Sequence, residues 1–444
     1  MKKIFVLSFI SVGYFLQAQN IGNSPYATYG IGDVKYDNTI ETSSMGGIST
    51  AYVSDFTSSF NFANPANNAN FELTSIKLEA TNENNYFKTD YNSTKSTKHS
   101  TYLSNISLAF PLSSKVKMGL SYQPYSSKSY DILYTQIKTK TLPDGTVIND
   151  AIYANHFKGS GTLNTAQIAL AYKVAQEFSL GLRANYYFGN LSDLDEFSAS
   201  NAELYNGYET TTNVRNFNFT LGANYQHLNT STDKKLTIGA TATFGNTSNM
   251  TTYYKNSTYF YTDASMETKS YESIIEEKQS NAKNLLPLQA SVGVGYGSEN
   301  QWFASAQVDY KKGEETLYFG QTRQFQDSYR VSVGGWYLPN YNNFRNYFSR
   351  VVYRYGAFYE KGSLSINGNG ELDKNGNSIN KFGISAGVLL PFKNSSITRM
   401  SGLEIGLELG KRGTLKDNLI NQNYINFKIG FNFADKWFRK SLYN

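Results

Sequence analysis

From about residue 73 to the C-terminus, apolar and polar residues alternate along the chain in segments separated by short and long connections. The alternation is clearest near the end, where single polar residues separate Ile425, Phe427, Ile429, Phe431 and Phe433. A period of two places successive side chains on opposite faces of a strand. Repeated strands of about ten residues with this pattern are typical of a transmembrane β-barrel, whose apolar face meets lipid and whose polar face lines the lumen.

Fourteen segments show this alternation, near residues 73–80, 101–110, 115–124, 163–173, 178–188, 214–227, 235–245, 286–297, 301–311, 326–337, 348–360, 380–390, 400–410 and 424–433. Connections after the even-numbered segments are the shorter set, and those after the odd-numbered segments are generally longer. Outer-membrane barrels combine short periplasmic turns with long extracellular loops, and an even strand count puts both termini in the periplasm. We therefore predict an all-β fold, a 14-stranded antiparallel transmembrane β-barrel in a Gram-negative outer membrane.

The N-terminal residues have the features of an export signal. Lys2 and Lys3 supply positive charge, an apolar run covers 4–16, and Ala18 supplies a small residue at the cleavage point. The chain contains no Cys, which excludes disulfides and a lipid-modified N-terminal cysteine. We predict a signal peptide over 1–18, an N-terminal hatch or plug over 19–70, the barrel over 71–434 and a short periplasmic tail over 435–444.

Residues 19–70 lack sustained alternation, yet they contain apolar side chains that need a packing partner. Glycine also recurs on the lumen face of the predicted strands, where it weakens a strand unless another backbone or a ligand needs the room. These glycines are residues 119, 181, 222, 239, 293, 334, 356, 383, 387, 406 and 430. We therefore expect residues 19–70 to fill the lumen as a hatch.

Two stretches of the chain, together with its strand count, carry a family resemblance. The stretch SMGGISTAYVSDFTSSFNFANPAN ends in the signature Asn64, Pro65 and Ala66. The stretch LLPLQASVGVGYGSENQWFASAQVDY has a Leu-Pro strand start at 286–287 and, one hairpin later, a Trp-containing strand at 302–310. In these features the chain resembles the FadL-type outer-membrane transporters of long-chain fatty acids and other hydrophobic molecules.

The resemblance implies a hatch-blocked barrel that captures a hydrophobic ligand at its extracellular end and releases it sideways through a gap beside the third strand. Here that strand reads KVKMGLSYQPY, and Pro124 either marks the gap or simply ends the strand. The family's capture loops are helical and apolar, whereas 189–213 and 246–285 are mostly Asn, Ser, Thr and Glu with interleaved tyrosines. A more amphipathic ligand, or none, is consistent with such loops.

Charged residues on the predicted lumen face allow two interpretations. They could line a polar path or anchor the hatch, or they could form cross-strand ion pairs that fill a wet interior. The candidates are Arg183, Asp309, Arg330, Arg354, Glu404, Glu408 and Lys428, and Lys77, Glu79 and Lys117 share the same face.

The sequence gives little support for catalysis or for metal binding. Its histidines, His99, His156 and His227, do not converge on a triad-like arrangement, so we predict no enzyme and no catalytic residue. With no Cys and scattered His, we also predict no metal site and no cofactor. The net charge of +6 is dispersed along the chain, which does not favour a nucleic-acid partner.

Two functions remain open from the sequence. The first is passive uptake of hydrophobic or amphipathic small molecules, fatty-acid-like, captured at the extracellular side, with outer-membrane lipids as further partners. The alternative is a non-transporting FadL-like barrel that acts as a scaffold or accessory subunit of an outer-membrane secretion or assembly complex, with envelope proteins as partners. The glycine-lined lumen favours the first function, and the polar, tyrosine-rich loops favour the second.

Overall fold

A computed structural model of the chain describes residues 21–36, 39–56, 59–245, 250–262, 268–282, 286–313, 315–318, 321–393, 395, 397 and 400–436. Fourteen antiparallel strands among them form one closed sheet, numbered β1 to β14 along the chain. They are β1 Thr74–Lys88, β2 Lys95–Pro111, β3 Val116–Ser127, β4 Val147–Lys173, β5 Phe178–Ala199, β6 Tyr205–Asn229, β7 Lys234–Phe244, β8 Gln289–Ser298, β9 Trp302–Lys311, β10 Ser328–Tyr337, β11 Val352–Lys361, β12 Lys381–Pro391, β13 Gly402–Gly413 and β14 Asn421–Asp435.

The sheet closes because β1 pairs with both β2 and β14. Thr74 stands opposite Asp435, and Lys88 stands opposite Asn421. The first strand therefore begins where the last strand ends, and we call this the turn end of the barrel and the opposite end the loop end. The predicted all-β, 14-stranded antiparallel barrel is confirmed. In the part of the chain that the structure describes, no helix has the length and apolar character needed to cross a membrane.

An apolar belt surrounds the outside of the barrel. In β5, Phe178, Leu180 and Leu182 are exposed, whereas Ser179 and Arg183 on the alternate face are buried in the lumen. The same alternation exposes further apolar side chains around the barrel: Phe217, Phe219, Leu221, Val292, Val294, Val331, Val333, Ile384, Phe427, Ile429 and Phe431. A closed sheet pairs the backbone groups of neighbouring strands with one another, as hydrocarbon requires.

A charge placed in this belt should oppose membrane insertion. Val292 is 60% exposed and lies between Ala240 and Val308 of the neighbouring strands. We expect Val292→Lys to destabilise the barrel folded in phospholipid bilayers by about 2–4 kcal/mol, because lysine near the bilayer midplane loses its hydration. Leu133→Lys, at a comparably exposed site beyond the belt, is the control and should change the stability little. Equal effects of the two variants would contradict the placement of the belt.

Three barrel strands continue beyond the belt at the loop end. There, Tyr130–Thr141 pairs with β4, Met250–Tyr261 pairs with β6, and Lys269–Ala282 pairs with Met250–Tyr261. Together with β4, β5 and β6 they form a six-stranded extension, which we call the wall. The prediction that 189–213 and 246–285 are loops is thus wrong over most of their described residues. The wall lies beyond the apolar belt, so the alternation that lipid imposes on a strand has no reason to persist there.

The remaining described elements lie in connections. Two small hairpins pair Glu315–Tyr318 with Gln321–Gln324 and Ser365–Ile366 with Asn377–Ser378, and short 3-10 helices cover Tyr91–Ser93, Tyr347–Arg350 and Lys416–Asn418. The connection 338–351 is longer than the short connections predicted at the turn end. The strand predicted from residue 348 begins at Val352. The reason is local, since the Asn346 side chain accepts a hydrogen bond from the Phe348 N–H and starts a helical turn there. Residues 1–20 and 437–444 lie outside the described residues, so the signal peptide and the tail stay predictions.

Candidate functional site

Residues 40–56 and 59–69, which we call the hatch, occupy the lumen. They begin with the short helix α1, Ile40–Ser43, whose N-cap Thr39 accepts a hydrogen bond from the Thr42 N–H. They end with a 3-10 helix, Pro65–Asn68. Irregular backbone at membrane depth is tolerated where it is enclosed by protein, as it is here.

Ten glycines on the lumen face of the barrel strands make room for the hatch. A Cβ added at each would lie within 3.3 Å of a hatch atom. They are Gly119, Gly181, Gly222, Gly239, Gly293, Gly334, Gly356, Gly387, Gly406 and Gly430. Gly383, expected in the same set, instead faces Phe358 and Tyr424. Five of the ten, Gly181, Gly239, Gly293, Gly334 and Gly356, lie against hatch backbone, and the other five lie against hatch side chains.

The Asn-Pro-Ala signature fastens the hatch to itself and to the barrel. Asn64 caps the 3-10 helix by accepting from the Ala66 N–H, and its amide donates to the Thr50 carbonyl at 2.7 Å and the Ala223 carbonyl at 3.2 Å. Pro65 begins this helix, where the missing N–H costs nothing. The Ala66 carbonyl accepts from the Ser179 hydroxyl at 2.8 Å. Asn64 and Ala66 therefore contact the barrel directly, and the functional role of the signature stays a proposal.

A buried cluster of charges joins the hatch to three barrel strands. Glu41 of α1 lies 3.2 Å from the Lys77 Nζ of β1 and 3.1 Å from an Arg354 Nη of β11. Glu404 of β13 lies 3.4 Å from the same Lys77 Nζ and 3.7 Å from Arg354. Glu79 completes the cluster by accepting from the Ile40 N–H. All five charged side chains are at most 3% exposed.

This cluster should make the hatch sensitive to acid. Burial raises the pKa of Glu41, but Lys77 and Arg354 outweigh burial and lower the pKa to about 2 from its ordinary 4.5. A lowered pKa contributes stability that is fully present above pH 4.5 and is lost as the pH falls toward 2. We expect the difference in unfolding free energy between the wild type and Glu41→Gln to shrink over this interval, measured by urea unfolding in detergent. A pH-independent difference would contradict the pairing.

Three other predicted lumen charges also contact the N-terminal segment. Arg183 donates to the Phe62 carbonyl at 2.7 Å, and Arg330 donates to the Gly46 carbonyl at 3.1 Å. Asp309 accepts from the Tyr36 hydroxyl at 2.6 Å. With Arg354, which donates to Glu41, four of the seven candidates thus contact residues 21–69, and Glu404 joins them only through Lys77 and Arg354.

Glu408 and Lys428 are placed differently. They form a cross-strand pair at 3.3 Å, and Lys381 stands 3.8 Å from the same carboxylate. They match the alternative interpretation, ion pairs that fill the interior, while the other candidates match anchoring of the hatch.

Sequence reasoning missed the apolar packing at the turn end of the lumen. Met45, Ile48, Tyr52 and Phe56 of the hatch pack with Trp336 and with Phe303, Leu338, Tyr341, Val352, Leu389 and Met400. The Phe56 and Trp336 ring centroids are 5.0 Å apart. A signal was available, since Trp336 falls on the predicted lumen face, where a large apolar ring needs a dry partner.

A cavity of about 410 Å³ remains in the lumen on the loop side of the hatch. Residues 29–36 form part of its lining, together with Tyr102, Pro124 and Tyr187. Charged side chains from several elements also reach it: Lys35, Glu83, Arg330, Glu360, Lys381 and Arg412. The cavity is therefore not a continuous apolar pocket.

The barrel seam between β2 and β3 is only partly paired. The ladder runs from Pro111–Lys117 to Ile106–Tyr122 and stops there, although both strands continue. Beyond this point β3 stays paired with β4, with a register shift between Pro124 and Ser126. On its other edge, Ser126 and Ser127 of β3 pair with Val34 and Asp33 of the N-terminal segment. Pro124 therefore lies beside the interrupted seam, and its role in a lateral gap stays a proposal.

The histidines do not form a catalytic group. His99 contacts Asn84, His156 contacts Asp131 and His227 contacts Glu177, each at a separate place. Among the described residues no three His, Asp or Glu side chains are grouped to hold a metal ion.

Solved structures and family models place this geometry among known proteins. The fold is similar to CymD, a monoaromatic hydrocarbon channel, with 13% identity and a TM-score of 0.54 over 92% of this chain and 99% of that one. It is also similar to the toluene transporter TodX of Pseudomonas putida, with 11% identity, a TM-score of 0.54, and 91% and 99% of the two chains covered. The toluene transporter TbuX of Ralstonia pickettii gives 10% identity, a TM-score of 0.51, and 88% and 97% coverage.

At such identities these similarities establish the fold alone, that of an outer-membrane β-barrel. No curated protein matches this sequence. A family model named BamG matches residues 1–444, the whole of the sequence. The chain is therefore a member of the BamG family.

Proposed function

We propose that this chain is a non-transporting outer-membrane barrel that serves as a scaffold or accessory subunit of an assembly complex. The family name BamG points to the outer-membrane β-barrel assembly machinery as that complex. The chain would then work through its envelope protein partners, with outer-membrane lipids around its belt, and without catalysis.

The observation that carries this proposal is the way in which the hatch is held. It is fixed by a buried cluster of five charges, by the Asn64 and Ala66 contacts and by an apolar core against β9 to β12. Breaking a buried ion pair by removing one partner costs about 3–5 kcal/mol, so a hatch that moves in every transport cycle would need a compensating input. Neither the cavity nor the seam offers a continuous apolar route that could supply it.

The wall gives such a barrel a surface for partners. Leu133 and Ile137 on one edge strand and Ile274 and Ile275 on the other are each more than half exposed. Large exposed apolar side chains on a soluble surface are typical of protein–protein contact sites.

The test is stoichiometric co-purification from native membranes in mild detergent, quantified by mass spectrometry. We expect the tagged wild type to retain envelope proteins, and the variants Leu133→Asp/Ile137→Asp or Ile274→Asp/Ile275→Asp to lose at least one of them. Thr139→Asp and Gln279→Asp, at exposed polar positions of the same strands, are the matched controls and should retain all the envelope proteins. A wild-type chain that purifies alone would contradict the proposal.

A second candidate function is passive uptake of hydrophobic or amphipathic small molecules, captured at the loop end and released near strand β3. The cavity of about 410 Å³ and the interrupted seam beside Pro124 favour it. Native mass spectrometry of the purified barrel tests it, because a transporter should carry bound lipid-like molecules in the lumen. Uptake of a fatty acid by proteoliposomes that equals that of empty liposomes would contradict this second function.

A further inference from the structure

The seam between β2 and the wall is the feature that the proposed function leaves unused. Residues 95–101 of β2 pair only with β1 among the described residues, although they extend beyond the last β2–β3 pair. Across the seam, 131–141 of the wall pair only with β4. Two strand edges therefore border one cleft, and each presents backbone groups to it.

The cleft has room for a polypeptide. Its volume is about 1000 Å³, and residues of both edges line it, among them His99 and Ser100 on one side and Leu133 on the other. The seven residues 95–101 span about 23 Å as a strand. At its outer end the rings of Tyr91 and Tyr134 stand 5.8 Å apart and join the two rims.

The chain itself shows that the neighbouring edge accepts an added strand. Asp33 and Val34 pair with Ser127 and Ser126 of β3, and the Lys35 N–H donates to the Tyr125 carbonyl at 2.8 Å. This is strand addition from within the lumen, on the same seam, just below the wall edge.

The lining of the cleft favours one kind of occupant. The His156 ring lies 2.6 Å from Asp131, and Lys269 lies 3.4 Å from Glu209, so both acids of the lining are already paired. Lys98 and Lys158 also line the cleft, and no ion pair is found for either one in the described part of the chain. The surplus of charge in the lining is therefore positive, which favours an acidic occupant.

We infer that this cleft, the seam site, captures an extended acidic segment of a partner polypeptide by strand addition. The backbone of the segment would pair with one or both edges, and its carboxylates would meet Lys98 and Lys158. The inference deepens the proposed assembly role and rests on it for the biological source of the segment. The binding chemistry itself depends only on the seam.

The test uses the full chain in detergent and a fluorescent peptide of alternating Val and Glu. We expect binding by anisotropy, and about tenfold weaker binding of the same peptide with alternate backbone N-methylation, because several ladder hydrogen bonds are lost. The variant Lys98→Glu/Lys158→Glu should bind the acidic peptide more weakly than the wild type does. It should bind a peptide of alternating Val and Lys more tightly. Equal binding of the methylated peptide, or no binding of any peptide, would overturn the inference.

A second arm closes the site at its rims, where Tyr91 and Tyr134 form part of the lining. Because the chain has no Cys, Tyr91→Cys/Tyr134→Cys can be bridged by a short bis-maleimide across the two rims. We expect bridging to abolish peptide binding, while the two single variants capped with N-ethylmaleimide bind like the wild type. Undiminished binding after bridging, or displacement of the peptide by a labelled fatty acid, would overturn the inference.

The two proposals can fail separately. Loss of co-purifying envelope proteins with intact peptide binding would remove the assembly role and leave the seam site. Intact co-purification without peptide binding would remove the seam site alone.

Discussion

Arg354→Met is expected to lower the free energy of unfolding by about 3–5 kcal/mol, because it removes one partner of a buried ion pair. Arg354 is 3% exposed and faces both Glu41 and Glu404. After its removal the cluster contains three buried carboxylates, those of Glu41, Glu79 and Glu404, and a single cation, Lys77. Urea unfolding of the refolded barrel in detergent, followed by tryptophan fluorescence, measures the change.

Two variants make this result specific. Arg345→Met removes an arginine from the exposed turn-end connection and should cost less than about 0.5 kcal/mol. Arg354→Met/Glu41→Gln removes one charge of each sign and should be more stable than Arg354→Met alone, since one uncompensated carboxylate is gone. An Arg354→Met chain as stable as the wild type would show that the cluster does not hold the hatch.

The second large effect concerns the glycines that face the hatch. A Cβ at Gly239 would collide with the Thr50 carbonyl, and one at Gly356 would collide with the backbone of Met45 and Gly46. We expect Gly239→Val and Gly356→Val each to destabilise the barrel by about 1–3 kcal/mol through overpacking. The same variants should expose the hatch to protease, as judged by cleavage within residues 40–69.

The direction of the change in stability distinguishes a filled lumen from an empty one. Valine favours strands and glycine weakens them, so in an empty lumen both variants would stabilise the barrel. Gly368→Val is the control, because its Cβ would lie 3.6 Å from the Asp417 Cβ, an ordinary contact distance. Stabilisation by Gly239→Val or Gly356→Val would rule out a hatch seated against those strands.

The sequence predicts the barrel well where lipid imposes a pattern. Strand β7 is predicted at 235–245 and runs Lys234–Phe244, because Ile238 must face hydrocarbon while Thr237 must not. Strand β4 is predicted at 163–173 but runs Val147–Lys173. The outer part of β4 lies in the wall, where no lipid enforces alternation. The periodicity of the sequence therefore does not predict the full length of this strand.

The sequence predicts only part of the candidate site. Period two puts Lys77, Arg354 and Glu404 on the lumen face, but it does not say which of them meet. Their meeting depends on closure of β1 against β14 and on the register of β11 to β13, which are non-local properties. Glu41 has no periodic signal at all, because the hatch has no repeating structure. The glycines were the strongest available signal, since they report the room that a second backbone needs.

The most direct test of a fixed hatch is thiol labelling in intact outer membranes. Met45→Cys introduces a lone thiol at a position that is fully buried between the hatch and the barrel strands. Phe344→Cys, at a site 74% exposed, is the reference for free reaction. We predict that a small maleimide labels Phe344→Cys rapidly and leaves Met45→Cys unlabelled until the barrel is denatured. Labelling of Met45→Cys at the rate of Phe344→Cys would contradict a lumen closed by a fixed hatch.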